Sequence, residues 1–368
     1  FIKSKFRYLQ IFMNKKVHNF SAGPSILPDK VFEQASSAIK DFNNSGLSIL
    51  EISHRSKDFI EVLEEARFTA LDIAELNKDE YTCLYLQGGA SLQFLMTAYN
   101  FLNNNAAYIN TGSWSTKAIK EAKMFGDVTE IGSSADKNFN YIPKDLSLNE
   151  SYDYLHLTSN NTIFGTQFHS FPDVNCPLFA DMSSDIFSRK INFSKFDLIY
   201  AGAQKNLGPA GVTMVLIRKS LLKNITRQVP SMLSYKIHAD KDSSFNTPPV
   251  FPIYCVLLNL RMIKNDGLDN IGSNNDIKSK LIYEEIDNNK CFSGFSHVDD
   301  RSQMNATFNL NDGFNGELFN EICKENNISG INGHRSVGGY RASIYNALPI
   351  DSVKLLIKCM KEFESNYN

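Results

Sequence analysis

Lys205 is the residue whose setting offers the most chemistry. It follows the apolar run Leu198–Ala201 through Gly202-Ala203-Gln204. A lysine in a loop is usually solvated, but one that leaves a strand through small residues can aim its amine into a cleft. In open α/β folds, ligands bind at the carboxyl edge of the sheet. Gly202 and Ala203 would then leave room for a bulky ligand. Asp181 ends a second apolar run, Leu178–Asp181, so the two residues can lie at neighbouring strand ends. It can equally be a helix N-cap or a turn residue. Gln87-Gly88-Gly89-Ala90-Ser91 joins a third apolar run to a helix-like stretch. Free N–H groups at such a helix start can hold an anion, although most turns of this kind only connect. Trp114, the one tryptophan, and Thr162 follow two further strand-like runs. Trp114 reads either as core or as a platform for a flat ring, and Thr162 as a hydroxyl donor.

Together these groups suit pyridoxal phosphate (PLP). Its aldehyde needs an amine, and its single phosphate needs a seat of N–H groups. Its pyridine nitrogen needs a carboxylate that keeps the ring protonated. Neither GxGxxG nor GxxxxGK[ST] occurs, which argues against a dinucleotide or Walker-type nucleotide site.

The whole chain is compatible with such an enzyme. Its 368 residues exceed one compact core and suit a large domain with a smaller one. A formal net charge of −2 gives no ground for a nucleic-acid or anionic-membrane partner. Small anionic substrates stay open, because Arg and His can cluster locally. Cys83, Cys176, Cys255, Cys291, Cys323 and Cys359 show no CxxC pair and no metal-ligand spacing. No metal is expected, and scattered thiols suit a reducing cytoplasm. Phe1 to Phe12 has too short an apolar run for a signal peptide or a membrane span. Met13 resembles a natural start, so residues 1–12 read as an extension without assigned function. Asn-rich stretches such as Asn274-Asn275 read as surface composition.

These residues need a scaffold of alternating helices and strands. Helical spacing of apolar residues follows Pro28 and recurs at Phe59–Leu76, Leu92–Leu102 and Phe251–Lys264. Strand-like runs fall at Tyr81–Leu86, Ala107–Asn110, Val128–Ile131, Tyr154–Thr158, Leu178–Asp181, Leu198–Ala201 and Val212–Ile217. Several are almost continuously apolar, as strands covered on both faces are. The expected fold is α/β, a mostly parallel central sheet covered by helices, with a smaller C-terminal α+β domain. Residues 28–265 would form the large domain and 266–368 the small one, with 13–27 packing on the latter. In the small domain, strands are expected at Ala306–Leu310 and Ala342–Tyr345 and helices at Gly316–Asn326 and Ile350–Phe363.

With these elements in order, the sequence resembles the phosphoserine aminotransferases. They are class-V members of the PLP-dependent aminotransferase superfamily with the aspartate aminotransferase type of fold. Five separated motifs carry the likeness: Asn19-Phe20-Ser21-Ala22-Gly23-Pro24, Glu51-Ile52-Ser53-His54-Arg55, Tyr200 to Gly211, Phe245-Asn246-Thr247-Pro248-Pro249 and Gly333 to Ser343. The resemblance implies that Lys205 holds the cofactor as a Schiff base and that Asp181 meets its ring nitrogen. It implies that Trp114 stacks on the ring and Thr162 contacts its phenolic oxygen. Ala90, Ser91 and Gln204 would hold the phosphate, with Asn246 and Thr247 reaching it from a neighbouring subunit of a homodimer. Arg341 would clamp the substrate α-carboxylate, and His54, Arg55, His334 and Arg335 its distal phosphate. Where some members have Gly-Arg, this chain has Ala90-Ser91, so that arginine's contribution is absent. The implied reaction converts 3-phosphohydroxypyruvate and glutamate into O-phosphoserine and 2-oxoglutarate. A related phosphorylated hydroxythreonine on the pyridoxine route is a second product of some members. The rival readings are an alanine–glyoxylate aminotransferase, a cysteine desulfurase and a non-catalytic relative. A desulfurase needs a nucleophilic Cys in a mobile loop. The His-Arg pairs favour a phosphorylated substrate over glyoxylate.

Overall fold

A computed structural model describes residues 17–147 and 151–367. The expected extension, residues 1–12, lies outside them. In chain order the elements are β1 (His18–Asn19), α1 (Asp29–Lys40), α2 (Lys57–Ile73), β2 (Tyr81–Leu86), α3 (Gly89–Phe101), β3 (Asn105–Asn110), α4 (Ser113–Ala122), β4 (Asp127–Ser133), β5 (Leu155–Thr158), β6 (Asn160–Asn161) and β7 (Thr166–Gln167). They continue with β8 (Leu178–Asp181), β9 (Leu198–Gly202), β10 (Thr213–Arg218), α5 (Tyr235–Asp240), α6 (Val250–Asp266), α7 (Leu268–Asn288), β11 (Phe292–Gly294), β12 (Asn305–Leu310), α8 (Gly316–Glu325), β13 (Ile328–Ser329), β14 (Tyr340–Ser343) and α9 (Ile350–Ser365).

Seven strands form the main sheet in the order β2-β10-β9-β8-β5-β3-β4. Only β10 runs antiparallel to its neighbours. The continuous apolar runs are explained by two cores, one on each face. Tyr81, Cys83 and Tyr85 of β2 pack under α2 and α6, while Leu84 and Leu86 pack under α3 and α4. Each fully buried large apolar side chain contributes about 1.5–3 kcal/mol. From β3 the chain moves outward to β4 and returns to β5 on the other side of β3. That reversal opens a crevice at the carboxyl ends of β3 and β5. The carboxyl ends of β2, β8 and β9 lie along the same edge.

A separate core joins α7, α8 and α9 to the antiparallel sheet β11-β12-β14. Phe20 is buried in it, and the adjoining β1 pairs in parallel with β13. From there the chain crosses to the main sheet, where the Ser25 N–H donates to Gln204 O at 2.9 Å.

Two helices depart from the sequence reading. α4 begins inside what reads as a strand-end loop around Trp114. α7 is rich in Asn, a modest helix former, yet Ile271, Asn275, Lys278 and Ile282 recur on its buried stripe. Asn275 is therefore interior, whereas composition suggested a surface residue. β14 starts two residues earlier than expected, which places Arg341 within the strand.

Candidate active site

The turn after β2 requires glycine twice. Gly88 and Gly89 have φ of 92° and 65°, in the left-handed region. A Cβ on Gly88 would stand 2.5 Å from Leu92 Cδ2. No side chain caps α3, so the N–H groups of its first turn, including those of Ala90 and Ser91, remain for an external anion. Asn246 and Thr247 approach this turn from outside. Asn246 Nδ2 donates to Gln87 Oε1 at 2.8 Å, and Gln87 Nε2 donates to Thr247 O at 3.4 Å.

Thr162 joins three of the expected residues. Its hydroxyl oxygen lies 3.2 Å from Lys205 Nζ and 3.1 Å from Trp114 Nε1. Its carbonyl accepts from Arg341 Nη1 at 3.1 Å. Lys205 Nζ stands 5.6 Å from the centroid of the Trp114 ring. An amine, a flat ring, a hydroxyl and a guanidinium thus converge from the loop after β9, the start of α4, the turn after β6 and β14.

Asp181 is buried at the end of β8. Its Oδ1 accepts from the Ser183 hydroxyl at 2.6 Å and the Ser183 N–H at 2.9 Å. Burial raises its carboxyl above the ordinary range, opposed by the Lys205 amine and the two Ser183 hydrogen bonds. Burial lowers Lys205 to about 8, and Asp181 opposes that shift. Arg341 is lowered by burial too, and its buried Nε has no partner among the described residues.

His334 and Arg335 lie near Arg341. His334 is held below its usual value first by burial, then by Arg341, Lys117 and Arg335. Its Nδ1 sits 2.7 Å from the Ser336 hydroxyl. His54 and Arg55 occupy the turn before α2, and no hydrogen bond or ion pair among the described residues joins them to Lys205 or Arg341. Within one chain, Lys205, Asp181, Trp114, Thr162 and Arg341 come together with His334 and Arg335. His54 and Arg55 do not join them.

Two expectations about small residues change. Ala203 packs in the core under α2 and α6 and does not face a ligand. A Cβ on Gly202 would meet Gln204 Oε1 at 2.8 Å, so its space serves the neighbouring side chain. Other residues went unnoticed in the sequence. Ser183 Oγ both donates to Asp181 and accepts from Gly202 N–H at 3.1 Å, tying β8 to β9. Asp185, four residues after Asp181, is a second buried carboxylate, held by the Ser159 hydroxyl and by Gln167 Nε2. Lys117 Nζ lies 4.4 Å from the Trp114 ring centroid. The three-residue spacing of Trp114 and Lys117 would have signalled that contact had α4 been recognised.

Residues 17–356 match the aminotransferase class-V family. The chain belongs to that family. Phosphoserine aminotransferase of Flavobacterium psychrophilum is 56% identical over 353 residues, 95% of this chain and 99% of the relative. A solved phosphoserine aminotransferase, studied for radiation damage of its Schiff base, is 47% identical with a TM-score of 0.92. It covers 96% of this chain and 99% of its own. The PLP-bound phosphoserine aminotransferase of Trichomonas vaginalis is 35% identical with a TM-score of 0.89, over 94% and 100% of the two chains.

As a class-V aminotransferase the chain uses PLP, and its residues fit that group. Thr111 Oγ1, Thr158 Oγ1 and Asn161 Oδ1, at or just beyond the ends of β3 and β5, are buried without partners among the described residues. Asp181 leaves Oδ2 for a protonated ring nitrogen, and the uncapped start of α3 offers a seat for one phosphate. The expectation that Lys205 captures PLP carries a pH dependence. Below pH about 8 Nζ carries a proton and cannot attack an aldehyde; above it, the amine is free. Capture by the apoenzyme is therefore expected to accelerate as pH rises through about 8 and then level off. Stopped-flow absorbance checks this, and a flat rate across that interval would contradict it.

Proposed function

We infer that this class-V enzyme interconverts 3-phosphohydroxypyruvate and glutamate with O-phosphoserine and 2-oxoglutarate, the activity of a phosphoserine aminotransferase in serine biosynthesis. The observation that carries this reading is the Thr162 junction, which gathers Lys205, Trp114 and Arg341 beside His334 and Arg335. The names of full-length relatives more than half identical to this chain support it.

PLP, once bound, supplies the electron sink that lets the substrate Cα–H bond ionise. Lys205 Nζ would hold the cofactor at rest and, once released by the substrate amine, would carry the proton from Cα to the cofactor's carbonyl carbon, and in the opposite direction in the second half-reaction. Its depressed basicity suits that exchange. Asp181 would stay charged against a protonated ring nitrogen, with Ser183 occupying its other oxygen. Trp114 would orient the ring, Thr162 would meet the phenolic oxygen, and Gln204 with the Ala90 and Ser91 amides would hold the phosphate. Arg341 has Nη1 on Thr162 and an Nε without a partner among the described residues, and so would take the α-carboxylate. His334 and Arg335 take the far phosphate, or the side-chain carboxylate of glutamate.

The reading extends to a homodimer in which Asn246, Thr247, His54 and Arg55 serve the neighbouring subunit's site. Exposed apolar residues support it: Phe32 and Ile39 on α1, and Leu47 and Leu50 in the loop before His54. The six cysteines are unpaired, and five are buried, which favours a reducing cytoplasm and disfavours a desulfurase nucleophile. Among the described residues no helix is long and apolar enough to cross a membrane. The one-carbon-longer 3-hydroxy-2-oxo-4-phosphonooxybutanoate presents the same two charged ends and would be a second substrate. The separate cores support a division into 28–265 and 266–368, with Ile271 of α7 packing in the core of the main sheet.

The test is a glutamate-coupled comparison of 3-phosphohydroxypyruvate with unphosphorylated hydroxypyruvate. Two charge-assisted contacts of about 1.5–3 kcal/mol each correspond to a preference of roughly 10²–10⁴ in kcat/KM. Equal use of both would remove the phosphate role from the His-Arg pairs.

A further inference from the structure

Lys278 lies on the buried stripe of α7, away from the site just described. Its Nζ donates to three carbonyls, Tyr345 O at 2.7 Å, Ile344 O at 3.0 Å and Leu348 O at 3.2 Å. An ammonium has three donors, so these carbonyls use all of them. Among the described residues no carboxylate lies within ion-pair distance. Burial lowers its amine to about 7, while the three carbonyls favour the protonated form, and all three belong to a single loop. Residues 344–348 directly follow β14, which carries Arg341.

The same loop is fastened to the lysine side of the cleft. Asn275, one turn before Lys278, donates from Nδ2 to Asn346 Oδ1 and to Ser188 O, both at 2.8 Å. The Asn346 N–H donates to Asn206 Oδ1 at 3.1 Å, and Asn346 Nδ2 donates to Phe187 O at 2.9 Å. Asn206 is the residue after Lys205, and its own Nδ2 donates to Ile186 O at 2.7 Å. The loop therefore spans from the strand of the guanidinium to the residue beside the amine. These are the two groups whose separation must match the substrate's α-carboxylate and Cα.

We propose that Lys278 is a positioning residue for transamination: through the 344–348 loop it sets Arg341 in register with Lys205. This rests on the role given above to Arg341 as carboxylate clamp. A position error of about 1 Å at such a contact can cost about a hundredfold in rate, so a strap outside the cleft can matter to it.

The experiment uses the PLP-loaded enzyme and glutarate, a dicarboxylate that binds without reacting, followed by the absorbance of the bound cofactor. Lys278→Met is expected to weaken glutarate about tenfold while the amount of bound PLP and its resting spectrum stay unchanged. In an Arg341→Gln background the same change is expected to add less than twofold, because the strap acts only through that guanidinium. Should Lys278→Met not fold, Asn346→Ala cuts the loop from Phe187 and Asn275 and goes through the same cycle. Glutarate affinity within twofold of the parent, or an equal loss in both backgrounds, overturns the proposal. If Arg341→Gln alone leaves glutarate binding intact, the clamp reading fails, and that outcome is seen separately from the effect of Lys278.

Discussion

A Lys205→Met enzyme is expected to lose borohydride-fixable cofactor and at least 10²–10⁴-fold of its transamination rate, the range of a positioned general acid–base. Methionine keeps the volume but removes both the carrier amine and the group that moves the substrate proton. Thr162, Trp114 and Arg341 would remain beside one another, so PLP and substrate could still be retained noncovalently. The alternative amine is Lys117, whose Nζ lies 4.4 Å from the Trp114 centroid against 5.6 Å for Lys205. Geometry distinguishes them: Lys205 also sits 3.2 Å from Thr162 Oγ1, and Asp181 acts on it electrostatically. Reduction of the parent enzyme followed by peptide mapping should find the label on Lys205. Label on Lys117, or borohydride-fixed label surviving in Lys205→Met, would reassign the carrier.

Asp181→Asn should be the second most damaging change. Asparagine keeps the shape and can still contact Ser183, but it cannot hold a protonated ring nitrogen. Removing one partner from a buried ion pair costs about 3–5 kcal/mol, which is roughly 10²–10⁴-fold if it falls on the barrier. The phosphate seat on α3 is untouched, so PLP affinity measured by equilibrium dialysis should fall much less than kcat. A kcat within tenfold of the parent would show that the ring does not depend on this carboxylate.

The parts of the site that sequence revealed share a physical origin. Lys205, Asp181, Thr162 and the Gln87–Ser91 turn each follow an apolar run, and buried parallel strands announce themselves by such runs. Their ends point to one edge, so locating the ends located the crevice. What stayed hidden is polar and interior. Ser183, Asp185, Asn275 and Lys278 are buried because groups remote in the chain satisfy them: Gly202 N–H, Gln167, Ser188 O and the carbonyls after β14. A hydrophobicity pattern reads such residues as surface, as it did for Asn275. α7 was missed for the same reason, since half its buried residues, Asn275, Lys278, Ser279 and Glu285, are polar. The small residues before Lys205 were legible as an approach to a loop but not as packing, because the core that Ala203 enters comes from α2 and α6.

The pairing of β1 with β13 gives this protein a particular history on the ribosome. His18 and Ile328 are register partners, yet they emerge far apart in time. At about 5–20 residues per second, the interval is roughly 15–60 s. Throughout it, Phe20 has no pocket to enter, because the core that buries it is made of residues beyond 280. Ser25, which bonds the backbone of Gln204 and Lys205, hangs from an unanchored segment. The main sheet can be complete by Arg218, but the lysine loop gains its N-terminal brace only when the last domain is translated. A nascent chain stalled near residue 300 would hold a formed crevice whose amine is not yet held in place.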